Sequence, residues 1–502
     1  MKTTPSSFDI VILGGGVVGC MIARELSRYQ LKIALLEKNA DIGAETSAAN
    51  SAIIHAGYDP PPGTLKAELN VIGNPLWDTL SAELEIPFER SGDYVVAIGE
   101  EELPALNRLF EQGLENKVPG LSLISAEEMR KREPLINPQV SGAIWAQTGG
   151  MCDPFAASIA AAENAVQNGV KVFLNTKFEH FLMADAHIQG VHTNQGDFFC
   201  KWVINAAGVY ADAVMHAANV RPAFEIQARR GEYFILDRAS CGVQNILFPV
   251  PSKVSKGILV TATVHGNIIV GPNASLLDDK EDKAVTTAGM EEIWNGALKL
   301  VPSLQRSSII AQFAGMRAHG NAASPDSDVN YEHDFLIEFA PGVQGLINVA
   351  GIESPGLTAA PAIALRVADL LKGAGLKLMP KADFNPIRKQ RPRFRHLSHA
   401  EREALIKENP QYGRVVCRCE MVTEGEIVAE IHAPIPATTY DAIKRRTWLG
   451  TGRCLGGFDM PKVVEILARE LGMSPFDVSK KGAGSEYLSC HTKDGGCDEK
   501  SE

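Results

Sequence analysis

Three stretches of this 502-residue chain carry residue types that could do chemistry. In the first, Gly14-Gly15-Gly16-Val17-Val18-Gly19 satisfies G-x-G-x-x-G between an apolar run at 8–13 and a helical run at 17–29. There Gly14 permits a tight turn, Gly16 lets the backbone approach a pyrophosphate, and Gly19 lets helix and strand pack closely. The helix start offers N–H groups and a positive dipole end to phosphates. Glu37 closes the next apolar run, where an acid accepts from ribose hydroxyls and repels a 2′-phosphate; the spacing predicts a dinucleotide other than NADP. In the second, His55 sits among small residues. An imidazole there suits proton transfer near neutrality, although a backbone-satisfied turn histidine has the same surroundings. His265 and His319 are further candidates for such a base. In the third, Cys417-Arg418-Cys419 is followed by Cys454 in a glycine-rich loop. Soft thiolates of this kind hold iron–sulfur clusters or zinc, and a C-x-C pair does so from a loop rather than a helix face.

These groups need elements to position them. The runs at 8–13 and 32–37 around the helix at 17–29 read as the opening of a doubly wound parallel sheet. Asp153-Pro154 starts an Ala-rich helix at 155–167, with strands at 171–174 and 202–205 after it. The last of these ends in the small residues Ala206, Ala207 and Gly208. Runs within 226–272 suggest a separate antiparallel sheet. Gly351 to Leu357, with Gly356 among them, leads into a helix at 358–371 whose N-terminus could stabilise negative charge on a bound ring. Ser354 or Thr358 could equally cap it. Ser47, Asn50 and Ser51 suit either cofactor hydrogen bonds or plain turns. Residues 373–412 turn basic, with Arg388, Lys389, Arg391, Arg393 and Arg395, and read as a strap along an acidic surface. Short helices at 423–431 and 439–446 and a longer one at 461–471 form a last compact part, followed by a loose tail at 480–502.

Hydrophobic residues make up 45% and charged residues 22%, which excludes disorder as the main state. Lys plus Arg is 49 against 60 for Asp plus Glu, and the resulting net charge of −11 argues against general nucleic-acid binding. No apolar run is long enough to span a membrane, and residues 1–9 lack a secretory pattern. Nine cysteines in a chain this long fit a reducing cytoplasm better than a disulfide framework.

The glycine motif, HAGYD at 55–59 within 47–59, and GIESPGLTAA at 351–360 together resemble the FAD-dependent oxidoreductases of the D-amino-acid-oxidase superfamily, nearest the glycerol-3-phosphate dehydrogenase/oxidase branch. The likeness covers roughly 8–372. It implies an α/β fold: a Rossmann-type FAD domain (8–85, 149–225, 331–372) with an inserted antiparallel-sheet substrate domain (86–148, 226–330). It further implies that Val172 meets the adenine end through its backbone and that His55 is the base. Arg317, Lys256 and Ser354 would be its substrate-side residues, with Arg229 and Arg230 as weaker candidates. Residues 413–479 resemble the [2Fe–2S] module of bacterioferritin-associated ferredoxin, except that Asp459 stands where that pattern has its fourth Cys. Asp459, Cys490 or Cys497 could complete the set; a zinc site or a degenerate module are the alternatives. The expectation is a cytoplasmic FAD enzyme that oxidises an anionic secondary alcohol, most simply glycerol 3-phosphate. It would pass electrons to a partner protein or quinone, with peripheral membrane contact possible. Oxidation of a 2-hydroxyacid or an amine, and an electron-transfer subunit without its own substrate, are the competing readings.

Overall fold

The runs Ile10–Leu13 and Ile33–Leu36 are apolar at every position and are buried on both faces, as a central parallel sheet requires. They lie in a six-stranded sheet. Its order is Lys171–Phe173, Ile33–Leu36, Ile10–Leu13, Trp202–Asn205, Leu346–Ala350 and Leu336–Phe339, with only the last pairing antiparallel. The helix Val17–Leu26 packs against Pro154–Gln167 and Gly356–Gly373. It stops short of the expected residue 29 because Arg28 and Tyr29 bond back only three residues and Gln30 donates to Met379 O instead.

The structure, a computed structural model, describes residues 6–218, 224–239, 242–251, 257–322 and 334–490. The chain divides into two units, Met1–Leu36 with Gly43–Arg388, and Glu37–Ile42 with Lys389–Glu502.

The first unit also holds a nine-stranded sheet drawn from 93–146 and 224–322. It is mixed rather than purely antiparallel, since Ile246–Pro249 pairs parallel with Asp93–Ile98. Two long strands, Phe224–Leu236 and Ile309–Ala322, run antiparallel along its edge. The helix Leu65–Leu84 packs on Gly356–Gly373 at Gly73, where a Cβ would come within 2.4 Å of Thr358 O. Only glycine permits that approach, and it brings two site-bearing segments together. Arg388, from the basic stretch, pairs with buried Glu163 at 2.7 Å.

In the second unit, Glu424–Ile431, Tyr440–Thr447 and Met460–Leu471 pack around Ile427, Ile443, Val463 and Leu467. Thr423 and Thr439 cap the first two helices. The basic stretch contains an unexpected helix, His399–Glu408, with a Ser398–Glu401 capping box. Arg391 pairs with buried Glu430 at 2.7 Å, with Arg393 at 3.7 Å from the same carboxylate. Asp41 is 1% exposed and receives Arg446 Nη2 at 2.8 Å and Arg445 Nη2 at 2.7 Å. The first residues expected as a loose tail are instead held: Lys480 Nζ lies 2.7 Å from Asp441, and Tyr487 packs edge-on to Tyr440.

Candidate active site and metal centre

The glycine motif divides into two roles. A Cβ on Gly14 (φ +107°) would meet Ala206 O at 2.4 Å, and one on Gly19 would meet Gly14 O at 2.0 Å, so both are closed by the chain itself. Gly16 faces open space apart from Ser47 Oγ at 3.3 Å. An unfilled approach at a helix start is what a pyrophosphate needs, and these residues fit a dinucleotide such as FAD. Glu37 follows the strand Ile33–Leu36 directly, and one of its carboxylate oxygens accepts Asn39 N at 2.8 Å. Val172 lies on the outermost strand of the sheet, which leaves that strand's free edge to a ligand. Ala207 and Gly208 follow the strand Trp202–Asn205, and Gly208 takes a left-handed turn at φ +57°.

Several of the expected cofactor residues also make hydrogen bonds within the protein. Ser47 Oγ accepts Val17 N at 2.9 Å and so caps the first helix. Asn50 holds its own loop: its amide nitrogen donates to Thr46 O and Ser47 O, and its oxygen accepts Ala52 N. Thr358 is fully buried, and its hydroxyl accepts His55 N at 2.8 Å. That bond ties the loop carrying His55 to the start of the helix Gly356–Gly373. Gly351 makes a left-handed turn (φ +66°) ahead of the helix Gly356–Gly373, whose N-terminus no side chain caps. Leu357 is half-buried in that first turn.

His55 is built in from three sides. Its carbonyl accepts from Asn70 and Asn74 on the helix Leu65–Leu84, its ring tilts on Phe248 at 5.7 Å, and Ser354 Oγ stands 3.5 Å from Nε2. The paired long strands form the opposite wall. Their register sets Arg229 against Arg317, Gly231 against Gly315, and Tyr233 against Phe313, whose rings stack at 4.6 Å. A Cβ on Gly315 would lie 2.0 Å from Ala49 O, so the loop carrying Ser47 to His55 passes directly over this ribbon. Ser51 hydrogen-bonds Tyr233 there.

Arg317 donates Nε to Arg229 O at 3.3 Å, and Nη2 to Arg230 O at 3.3 Å and Asn273 O at 2.8 Å. Among the described residues Nη1 makes no further hydrogen bond. Burial pulls this guanidinium below its ordinary pKa. Neither Arg317 nor Arg229 has an ion-paired carboxylate among the described residues. Like charges directly opposite on adjacent strands repel, so the pair favours a shared anion. Arg230 is spent on Asp282 at 2.9 Å. Lys256 lies outside the described residues. His265 is held by Asp153 at 3.0 Å.

Sequence reasoning missed Glu353 and Lys66. Glu353 sits beside Ser354 and takes Lys66 Nζ at 3.1 Å and His319 Nδ1 at 3.4 Å. Burial alone would raise its carboxyl; His319 and Lys66 outweigh that and hold it well below the usual range. Glu353 had a local signal as the chain neighbour of Ser354, whereas Lys66 had none.

In the second unit Cys417 and Cys419 place their sulfurs 3.5 Å apart. Two thiolates on one tetrahedral ion stand about 3.8 Å apart, so this pair fits one metal. Cys454 is partly exposed in the loop before Met460–Leu471. Among the described residues no three His, Cys, Asp or Glu side chains converge as a single-ion site would need. Three thiols and a carboxylate in this part of the chain, Cys417, Cys419, Cys454 and Asp459, amount to the four protein ligands that a two-iron cluster takes. Cys490 is disulfide-bonded and offers no thiolate, and Cys497 lies outside the described residues.

Comparison with known proteins finds relatives of both parts of the chain. Residues 9–370 match the family described as FAD dependent oxidoreductase, and residues 415–469 match the BFD-like [2Fe-2S] binding domain. The glycerol 3-phosphate dehydrogenase of Caloramator mitchellensis is 45% identical over 487 residues, 97% of this chain and 99% of that protein. The glycerol 3-phosphate oxidase of Mycoplasma genitalium is 36% identical, over 76% of this chain and 98% of the oxidase. The FAD-bound, dithionite-reduced L-α-glycerophosphate oxidase of Mycoplasma pneumoniae superposes with a TM-score of 0.71 at 34% identity, covering 77% of this chain and all of that one.

Proposed function

We propose a function from one premise: this chain belongs to the FAD dependent oxidoreductase family. It oxidises glycerol 3-phosphate to dihydroxyacetone phosphate and carries a BFD-like [2Fe–2S] binding domain in the same chain. The observation that carries this reading is the likeness to the Caloramator dehydrogenase, which extends over both units of the chain.

The site's own residues account for the chemistry. Nη1 of Arg317 and the guanidinium of Arg229 hold the phosphate, and burial strengthens each contact. His55 Nε2 takes the proton of the secondary hydroxyl, with Ser354 Oγ beside that nitrogen and Asn70 and Asn74 holding the His55 carbonyl. Glu353, held anionic, balances Lys66 and His319 beside the site. Gly14, Gly16, Gly19, Glu37 and Val172 would hold FAD, which when bound accepts the hydride. Cys417, Cys419, Cys454 and Asp459 would hold the cluster, a one-electron carrier that suits delivery to an outside acceptor, a partner protein or quinone. Among the described residues no helix is long and apolar enough to cross a membrane.

Anaerobic addition of glycerol 3-phosphate, 2-hydroxyglutarate and amino acids to the yellow protein tests the proposal. Glycerol 3-phosphate should bleach the flavin band. Bleaching by another substrate alone would reassign the reaction, and bleaching by none would leave an electron-transfer subunit.

A further inference from the structure

Asp459 occupies the N-cap position of the helix Met460–Leu471, yet its side chain caps nothing. An Asp at this position ordinarily accepts a backbone N–H of the first turn. Here the carboxylate is 1% exposed and turned elsewhere. Tyr440 donates its hydroxyl to Oδ1 at 2.6 Å, and Oδ2 is buried with no hydrogen-bond partner. The Cys417 thiol lies beside this carboxylate without closing a hydrogen bond of normal geometry to Oδ2. The surrounding loop is cut to fit. A Cβ on Gly450 or Gly456 would come within 2.3 or 2.2 Å of the Tyr440 hydroxyl, and one on Gly452 within 2.5 Å of Cys419 Sγ. Both glycines at the hydroxyl have left-handed backbones, φ +71° and +87°. An orphaned buried oxygen is costly unless something binds it. Beside two paired thiols, that something is a metal.

We propose that Asp459 completes the [2Fe–2S] site through Oδ2 alone and that Tyr440, by occupying Oδ1, keeps it a monodentate ligand. This rests on the reading that residues 415–469 hold a cluster. Tyr440 is then a positioning residue. Its hydrogen bond stops the carboxylate from chelating and draws charge from a hard ligand that is less covalent than thiolate. Without that bond, Asp459 becomes a stronger donor, disfavours the reduced cluster, and competes for a second coordination position.

The test uses the full-length protein, anaerobically reconstituted with iron and sulfide. It reads iron and sulfide content, the EPR spectrum of the reduced cluster, its midpoint potential, and iron loss to a chelator. Asp459→Asn keeps the side chain's shape and its Tyr440 contact, and should lose the cluster while retaining FAD. Tyr440→Phe should keep iron but shift the g-values and lower the midpoint. The expected size is roughly a tenfold change in the reduction equilibrium, which is 59 mV for one electron. In an Asp459→Cys background the same Tyr440→Phe change should have a much smaller effect on the midpoint, an outcome that a purely structural role would not produce. If Tyr440→Phe fails to fold, Tyr440→His, which can still donate to Oδ1, should recover the wild-type spectrum. An Asp459→Asn protein with wild-type iron and EPR would overturn the ligand assignment. Unchanged g-values and midpoint in Tyr440→Phe would overturn the role of Tyr440 alone. No iron in either wild type or Asp459→Cys, or stoichiometric zinc in wild type, would remove the cluster reading beneath both.

Discussion

At the scale of single residues, four side chains dominate what can be measured. His55→Ala should slow flavin reduction by roughly 10²–10⁴-fold, the usual range for a lost acid–base group, while leaving anion affinity nearly intact. Stopped-flow reduction at saturating substrate reads the first quantity and KM the second. Arg317→Ala should raise KM for glycerol 3-phosphate by an amount equivalent to about 1.5–3 kcal/mol, and Arg229→Ala should act in the same direction. The double variant should fall short of the sum, because the two guanidiniums share one anion. A wild type that prefers glycerol would contradict the clamp. Asp93 gives a pH signature. Burial raises its carboxyl to about 7, only partly offset by the Tyr58 hydroxyl at 2.9 Å, and its second oxygen has no partner. Between about pH 4 and 7 the folded state keeps a proton that the unfolded chain has released, so this group makes the fold less stable as pH rises through that window. Asp93→Asn should flatten the decline in Tm between about pH 4 and 7.

At the scale of elements, the glycine loop makes two substitutions that look alike behave differently. Gly16→Ala should fold and lose FAD, because its Cβ enters open space that a pyrophosphate would take. Gly19→Ala should weaken the fold itself, since its Cβ collides with Gly14 O at 2.0 Å. Flavin absorbance and apoprotein Tm separate the two; equal loss of Tm in both would refute the division. The same elements mark what the sequence could reveal. Uniformly apolar runs announced the central strands, and Asp153-Pro154 announced a helix because a cap and a fixed φ precede it. The ribbon Phe224–Leu236 and Ile309–Ala322 was legible only in fragments. Gly231, Gly315 and Gly320 lie inside these two strands, where glycine weakens the signal of a strand. His55 and the motif glycines could be named as candidates because their types announce the chemistry they suit. The loop bonds of Asn50 and Thr358 were not legible, because short polar side chains serve loops and ligands alike and only the fold reveals their partners.

At the scale of the whole molecule, the second unit is not a simple C-terminal appendage, because it includes Glu37–Ile42. Burial would raise the Asp41 carboxyl, but Arg446 and Arg445 reverse this and hold it below the usual range, so the stability it lends is present above about pH 4 and fades as pH falls. Arg446→Met removes the more deeply buried partner and should cost about 3 kcal/mol or more, read as faster hydrogen exchange in the Tyr440–Thr447 helix. Arginines that merely decorate a surface would give less than about 1 kcal/mol. The pairing also has a timetable. Asp41 leaves the ribosome 404 and 405 residues before the two guanidiniums that neutralise it. At roughly 5–20 residues per second, that is a wait of roughly 20–80 s during synthesis, with the carboxylate lacking both arginines. The unit can close only when translation is nearly finished, so a stalled or prematurely terminated chain cannot complete it.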